Sequence, residues 1–452
     1  MSAPFFSVGS MPATPVPAAS VSANSITSTP ASAAPEPSAF ESAPSTPGAL
    51  DGLVVLDLAG PLGNYSGKLM ADMGARVILV EPIGGAPTRT AAPFDHRVQG
   101  ERASLTFHYQ NTNKQSIAID LDSPAGRSVF EALVRRSALL IESEQPDALR
   151  ARGLDYPHLR NLNPALVMTS ITAFGQTGPF AHWRATDLTA MGMGGMLYLA
   201  GYVDSAPMVA CGEQAIGAAH VFSAVASLAA LHDAEVSGTG QHIDVSMQEC
   251  VVMGMENAVQ FYDLEGTIRK RNAGTQRLAG TGVFACADGY IYLMAGGIGS
   301  NRFWTVTAQW LIEAGVAGAD QFLEPRWHDQ AFLASDEAKA VFGQVFTPFV
   351  STRSKAQLQA DGRARRIPIA PISDAADIAR DAQRAHRGFF VDAPLSDGTV
   401  LRMPGAPYRL SRTPWRLRHA APGKGDQTQA ILAWAGIDAL RREELTRTGV
   451  VA

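Results

Sequence analysis

The sequence is short of cysteine, of charge imbalance and of long apolar runs, and each shortage excludes a class of protein. Its three cysteines are widely spaced and odd in number, which fits neither a disulfide framework nor a zinc site. With 42 acidic residues against 37 Lys and Arg, nothing indicates the basic surface that nucleic-acid phosphates require. No run approaches the roughly 20 uninterrupted apolar residues that a membrane-spanning helix needs. We therefore expect a cytoplasmic protein that binds no metal, nucleic acid or membrane.

The conventional catalytic signatures are also missing. There is no G-x-S-x-G elbow, no P-loop, no H-E-x-x-H motif and no cluster of Cys and His. An enzyme with this sequence must therefore use a catalytic mechanism that none of these motifs marks.

Residues 1–48 lack both Lys and Arg and are dominated by Ala, Ser and Pro. A secretory leader needs a basic segment and a transit peptide is rich in Arg, so we expect neither. Proline blocks regular structure, and the apolar content is too low to offset the entropy of ordering the chain. We expect these residues to form a disordered tail.

After the tail, short β-branched runs alternate with helical stretches, which is typical of a parallel sheet covered by helices. At 452 residues the chain can bury two apolar cores. We predict an α/β fold whose large domain is Rossmann-like and doubly wound, with its N-terminal part at residues 49–240. The composition changes near residue 240, and residues 241–370 indicate a smaller, inserted α+β domain with its linkers. Residues 371–452 are expected to return to the large domain.

A dinucleotide-binding domain is the obvious alternative for the first part of the chain. A glycine turn follows the first predicted strand, and Glu81 ends a strand about 20 residues later. However, Gly60, Gly63 and Gly67 do not form G-x-G-x-x-G, and Pro61 stands where the phosphate turn needs freedom. The spacing therefore disfavours a nicotinamide cofactor.

Residues 173–187, with the sequence AFGQTGPFAHWRATD, are the most distinctive segment. They follow a predicted buried strand and precede an apolar helix, and strand ends are where open α/β sheets place ligands. Asp187 begins the helical run, so an ordinary N-cap role stays open for it. A helix N-terminus also supplies the field and the N–H groups that keep a carboxylate ionised and stabilise an oxyanion.

This segment resembles the G-x-G-Q-x-G-P…D signature of class III CoA-transferases, the family of formyl-CoA and carnitine CoA-transferases. Further pieces resemble that family in the expected order, and together they cover nearly all of the chain after the tail. These pieces are residues 70–78, 81–82, 113–117, 238–248, 366–371, 387–390 and 414–415.

The resemblance implies an intertwined homodimer that exchanges CoA between an acyl-CoA and a small carboxylic acid. It makes Asp187 the nucleophile, through an acyl-aspartyl anhydride and an aspartyl-CoA thioester. Thioester energy is retained throughout, so the CoA thioester is a substrate and no permanently bound cofactor is expected.

The resemblance also implies contacts to CoA or substrate. Arg89 and Lys114 are the candidates for the CoA phosphates, although each could equally be a solvated surface group. Gly175 and Gln176 belong to the signature itself. Gly274 and Gly280 fall where the family carries a mobile glycine-rich loop, but residues 274–280 here contain less glycine, and the first βα turn is shorter than in the formyl-CoA branch.

Two other functions stay open. The same superfamily contains α-methylacyl-CoA racemases, which use a His/Asp pair as acid and base. The histidine would stand where this chain has Thr186 and the aspartate at Glu213, so racemization or epimerization is disfavoured, with His182 as a remaining candidate. The third possibility is a non-catalytic subunit that partners an active paralogue.

Overall fold

The computed structural model describes residues 47–58, 60–97, 104–202, 205–255, 257–271, 276–296, 302–395 and 398–452. The predicted tail lies outside these ranges except for its last two residues. Gly274, a candidate for contacts to CoA or substrate, also lies outside them.

Six parallel strands form the central sheet, in the spatial order β3–β2–β1–β4–β5–β6. The predicted mixed α/β fold with a parallel sheet is therefore confirmed. The β-branched runs predict five of these strands to within a few residues, because strands covered on both faces are almost continuously apolar. The strands are β1 (Val54–Asp57), β2 (Arg76–Glu81), β3 (Lys114–Ala118), β4 (Leu139–Glu142), β5 (Val167–Thr172) and β6 (His242–Ser246).

Helices cover both faces of this sheet, and each face has its own apolar core. One face packs against α1 (Asn64–Asp72), α6 (Asp187–Met193), α8 (Gln214–Ser237) and α9 (Met247–Met253). The other face packs against α3 (Pro124–Val134), α4 (Ala148–Ala151), α5 (Tyr156–Leu162), α17 (Thr428–Trp434) and α18 (Ala439–Arg447). The last residues return to the sheet, where Val451 bridges Ile119 beside β3.

The remaining helices connect these layers or belong to the second sheet described below. They are α2 (Leu105–Gln110), α7 (Met196–Leu199), α10 (Ala258–Glu265), α11 (Arg302–Glu313), α12 (Gln330–Leu333), α13 (Asp336–Ser351), α14 (Lys355–Arg365), α15 (Ala375–Arg380) and α16 (Ala382–His386).

The helix α8 is the only helix in the described ranges that is long and apolar enough to cross a membrane by length and composition. It is rich in Ala, the strongest helix former, and it ends at Gly238, whose φ of 73° gives a left-handed cap. Small side chains on one side let it lie close to β5, where Ser227 Oγ is 2.7 Å from Thr169 Oγ1. This helix is therefore part of the core of the large sheet.

A second, antiparallel sheet contains β7 (Thr281–Cys286), β8 (Gly289–Met294) and β9 (Ile369–Ile372), and β10 (Phe390–Pro394) pairs with β11 (Val400–Pro404) in a hairpin. An aromatic core covers the three-stranded sheet, with the rings of Trp304 and Trp327 stacked 5.0 Å apart. Gly280 has a φ of 74°, and a Cβ there would lie 3.0 Å from Ala295 Cβ and from the Trp304 ring. Packing therefore requires glycine at this position. The boundaries of the inserted domain stay a prediction.

Candidate functional site

The Asp187 carboxylate lies at the N-terminus of α8, not at the cap of its own helix. The cap of α6 is Thr186, whose hydroxyl accepts from Thr189 N at 3.4 Å while Thr186 N donates to Thr189 Oγ1 at 2.8 Å. The N-cap role considered for Asp187 in α6 is therefore wrong. Instead, Asp187 Oδ1 accepts from the backbone N–H of Ile216, in the first turn of α8, at 3.0 Å.

The first turn of α8 brings a second carboxylate to the same place. Glu213 is the N-cap residue of α8, is exposed and makes no capping hydrogen bond with its side chain. Asp187 supplies the acceptor that an N-cap side chain usually supplies. The positive end of a 24-residue helix favours ionised carboxylates and developing oxyanions, so this end of α8 suits carboxylate chemistry.

Asp244 of β6 holds the turn at Gly175 and Gln176, the two residues that the sequence predicts to contact CoA or substrate. The backbone N–H of Gln176 donates to both oxygens of Asp244, at 3.0 and 2.9 Å. Gly175 has a φ of 87°, and a Cβ there would lie 3.4 Å from Asp244 Oδ2. Asp244 therefore fixes the start of the segment that leads to Asp187. This role of Asp244 could not be predicted from the sequence, because the pairing of β5 with β6 joins residues about 70 positions apart.

A polar cavity of about 440 Å³ lies beside this turn and contains Gln176, Glu142, Ser170 and His242. Ser170 Oγ lies 2.8 Å from His242 Nε2, and Glu142 is 4% exposed. Burial raises the pKa of Glu142 to about 7; the carboxylates of Glu144 and Asp244 add to the shift, and hydrogen bonds from Ser170 and from the Glu144 backbone oppose it.

The raised pKa of Glu142 makes the stability of the protein depend on pH. The folded state holds the proton more tightly than the unfolded state, so this carboxyl costs stability as pH rises from about 4.5 through 7. At pH 4 the carboxyl is largely protonated in both states, so we expect Glu142→Gln to leave stability nearly unchanged there. At pH 8 it should increase stability by on the order of 3 kcal/mol. Denaturant unfolding at both pH values measures this, and an effect of equal size at pH 4 and pH 8 would contradict a raised pKa of Glu142.

Arg89 and Lys114 line one cavity of about 390 Å³, and both are buried. The idea that they are solvated surface groups is therefore wrong. Arg89 makes two bonds to Glu81, at 2.7 and 2.6 Å. Lys114 Nζ lies 2.7 Å from Asp57 Oδ2, and burial lowers the pKa of this ammonium against the opposing effect of Asp57. A phosphate would have to compete with these carboxylates, and the contacts of both residues to CoA stay a prediction.

A different crevice lies where the strand order reverses, between β1 and β4. Ligands in open α/β sheets bind outside the carboxyl ends of the strands at such a switch point. The cavity there has a volume of about 360 Å³ and is lined mostly by residues at or just after the carboxyl ends of β1 to β4. Arg152 is its cation, with Nε 2.8 Å from Asp122 Oδ1 and Nη1 3.5 Å from Glu144 Oε1. The sequence did not point to Arg152, because the switch point depends on the spatial order of the strands.

The residues considered for racemization, His182 and Thr186, both lie in the described ranges and do not form an acid–base pair with Asp187 in this structure. His182 is exposed, with Nε2 4.0 Å from Asp147 Oδ2, and Thr186 serves as the helix cap described above. Across the described ranges, no group of three or more His, Cys, Asp or Glu side chains could hold a metal ion.

Known proteins match almost the whole chain after residue 48. The model of the family described as CoA-transferase family III matches residues 50–428. The succinyl-CoA:(R)-benzylsuccinate CoA-transferase subunit BbsE of Thauera aromatica is 39% identical, over 88% of this chain and 97% of that protein. The succinate–glutarate CoA-transferase of Agrobacterium fabrum is 32% identical, over 85% of this chain and 95% of that protein.

Among solved structures, a CaiB/BaiF family protein from Brucella suis superposes with a TM-score of 0.77 at 29% identity, covering 86% of this chain and 100% of that chain. The family match spans far more than half of the sequence, and the named relatives are CoA-transferases. This chain therefore belongs to CoA-transferase family III and is a CoA-transferase.

Proposed function

We propose that this enzyme transfers CoA from succinyl-CoA to a second, small carboxylic acid, with Asp187 as the nucleophile. The observation that carries the proposal is the position of the Asp187 carboxylate at the N-terminus of α8 in a chain of this family. The donor is inferred from relatives whose names include succinyl-CoA with benzylsuccinate, L-malate, D-citramalate or mesaconate.

In the first half of the reaction, an oxygen of Asp187 attacks the thioester carbonyl and expels CoA thiolate, which leaves an acyl-aspartyl anhydride. The thiolate then attacks the aspartyl carbonyl of this anhydride. The bond to the first acid breaks, the acid leaves as a carboxylate, and Asp187 is held as a CoA thioester.

In the second half, the incoming carboxylate attacks the aspartyl-CoA thioester, forms a new anhydride and again releases CoA thiolate. The thiolate attacks the carbonyl of the incoming acid, which yields the product thioester and restores the Asp187 carboxylate. Each tetrahedral intermediate carries a negative oxygen, and the positive end of α8 favours that charge.

For CoA itself we propose the crevice at the β1–β4 switch point. Its opening lies at the carboxyl ends of the strands, on the same edge of the sheet as the Gly175–Gln176 turn that follows β5. Arg152 is the cation available there for a phosphate, since its partners Asp122 and Glu144 are 78% and 42% exposed in their side chains. Solvent weakens such ion pairs, so a phosphate can replace them at little cost.

We also propose that the chain forms a homodimer through the exposed apolar side chains on α6 to α10 and in the segments that flank them. Exposed apolar side chains in large number mark protein–protein contacts. Several relatives are named as subunits, so a paralogous partner remains the alternative. The exposed side chains include Phe180, Trp183, Leu188, Met193, Tyr198, Val221, Phe222, Val225, Met253, Val259, Tyr262, Leu264 and Ile268.

A mass-spectrometric screen of the purified chain tests this function. The chain alone is incubated with succinyl-, acetyl- and formyl-CoA against a panel of mono- and dicarboxylic acids. We expect new acyl-CoA species with succinyl-CoA and at least one acceptor. Turnover only after addition of a paralogue would favour the non-catalytic subunit, and deuterium uptake at the α-carbon of a 2-methylacyl-CoA would favour a racemase.

A further inference from the structure

The segment between α7 and α8 is irregular and depends on a donor from elsewhere in the chain. In its described part, residues 200–202 and 205–213, no helix or strand is present. Backbone carbonyls in such a segment need partners from outside it. Arg271, which follows α10, lies some 70 positions further along the sequence.

The Arg271 guanidinium donates hydrogen bonds to three backbone carbonyls in or next to this segment. Nε donates to Tyr202 O at 3.0 Å and to Ser205 O at 3.1 Å. Nη2 donates to Ser205 O at 2.7 Å and Nη1 to Tyr198 O at 3.3 Å. Its Cζ also lies 5.6 Å from the centre of the Tyr198 ring. A planar guanidinium presents five donors in a fixed fork and can hold several acceptors at once, whereas an ammonium presents its three donors from a single atom.

The held segment leads directly to the carboxylate site. Met208 N donates to Ala200 O at 3.0 Å and closes the loop that Arg271 holds. The segment then ends at Glu213, the N-cap residue of α8, three positions before the Ile216 N–H that binds Asp187. The segment therefore joins the loop that Arg271 holds to the first turn of α8, where Ile216 binds the Asp187 carboxylate.

We propose that Arg271 is a positioning residue for the transferase reaction. It clamps the carbonyls of Tyr198, Tyr202 and Ser205 and so fixes the first turn of α8 against Asp187. This role rests on the proposed nucleophile, because a carboxylate that is held about 1 Å out of place loses much of its reactivity. Arg271 does not touch the reacting atoms.

Arg269 provides the matched control. It lies two residues earlier and is similarly half-buried, but its guanidinium contacts Asn257 Oδ1 and the Phe261 ring, both belonging to the start of α10 or the turn before it. Arg269→Ala thus removes the same charge from the same stretch without releasing the loop before α8.

The experiment compares Arg271→Ala, Arg271→Lys and Arg269→Ala by steady-state kinetics and by hydrogen–deuterium exchange. We expect Arg271→Ala to lower kcat by roughly tenfold or more with little change in KM, and to increase exchange in residues 198–216. Arg271→Lys should show a smaller loss of kcat and a smaller increase in exchange. It replaces Arg271→Ala in the test if the alanine variant does not fold. Arg269→Ala should match the wild type in both measurements.

Unchanged exchange in residues 198–216 of the Arg271 variants would overturn the clamp. An equal loss of kcat in Arg269→Ala, or a rise in KM alone, would overturn the positioning role. If the wild type transfers CoA to no acid, the proposed function fails, while the exchange measurement still decides whether Arg271 holds the segment.

Discussion

Asp187→Asn is expected to lower kcat for CoA transfer by about a thousandfold or more, because the amide cannot form the anhydride. The substitution keeps an oxygen that can accept from Ile216 N, so the first turn of α8 keeps its partner. We therefore expect the thermal unfolding of this variant to stay close to that of the wild type. Rates with succinyl-CoA and the best acceptor from the screen, measured on enzyme free of wild-type contamination, give the result.

Glu213→Gln is the matched variant for this test. It removes the other carboxylate at the same helix terminus and leaves the Asp187–Ile216 bond in place. We expect Glu213→Gln to retain clearly more activity than Asp187→Asn. The reverse order of the two rates would assign the nucleophile to Glu213.

Lys114→Met is expected to destabilise the protein by about 3–5 kcal/mol, because it leaves the buried Asp57 carboxylate without its cation. The Lys114 side chain is 0% exposed and that of Asp57 1%. Lys114 also donates to Asn64 O at 2.6 Å and Asn111 Oδ1 at 2.8 Å, which ties β3 to α1 and α2. Urea unfolding at neutral pH measures the loss.

Two further variants separate the loss of the Lys114–Asp57 ion pair from a nonspecific loss of stability. Asp57→Asn combined with Lys114→Met removes both charges, so it should recover part of the stability lost in Lys114→Met alone. Arg150→Met breaks an exposed pair with Asp147 and should cost less than about 1 kcal/mol. A double variant no more stable than Lys114→Met would contradict a role for the unpaired charge.

The strands and several helix starts could be predicted because their signals are local. A serine followed by a proline is typical of a helix start, and α3 begins at Pro124 with the Ser123 hydroxyl accepting from Gly126 N at 3.0 Å. The β-branched runs likewise marked β1 to β5. The spatial order of the strands could not be predicted from such signals, since it depends on which apolar faces meet. For that reason the crevice at the switch point, with Arg152, was missed.

Only those parts of the site that lie within one continuous segment could be predicted from the sequence. The sequence drew attention to Asp187 but suggested a cap on its own helix, whereas its partner is Ile216, 29 positions away. Lys114 is, from the sequence, a candidate for the CoA phosphates or for a solvated surface group, and its burial depends on Asp57, 57 positions earlier. In both cases a long-range contact decides what the side chain does, and neither composition nor periodicity contains that information.

The central claim is that Asp187 carries the acyl group and then CoA. Hydroxylamine added during turnover of the purified enzyme with succinyl-CoA converts an activated aspartyl group to a hydroxamate, which peptide mass spectrometry locates. We expect a hydroxamate on Asp187 that appears only when the acyl-CoA is present. A hydroxamate on Glu213 or on any other carboxylate, with Asp187 unmodified, would contradict it.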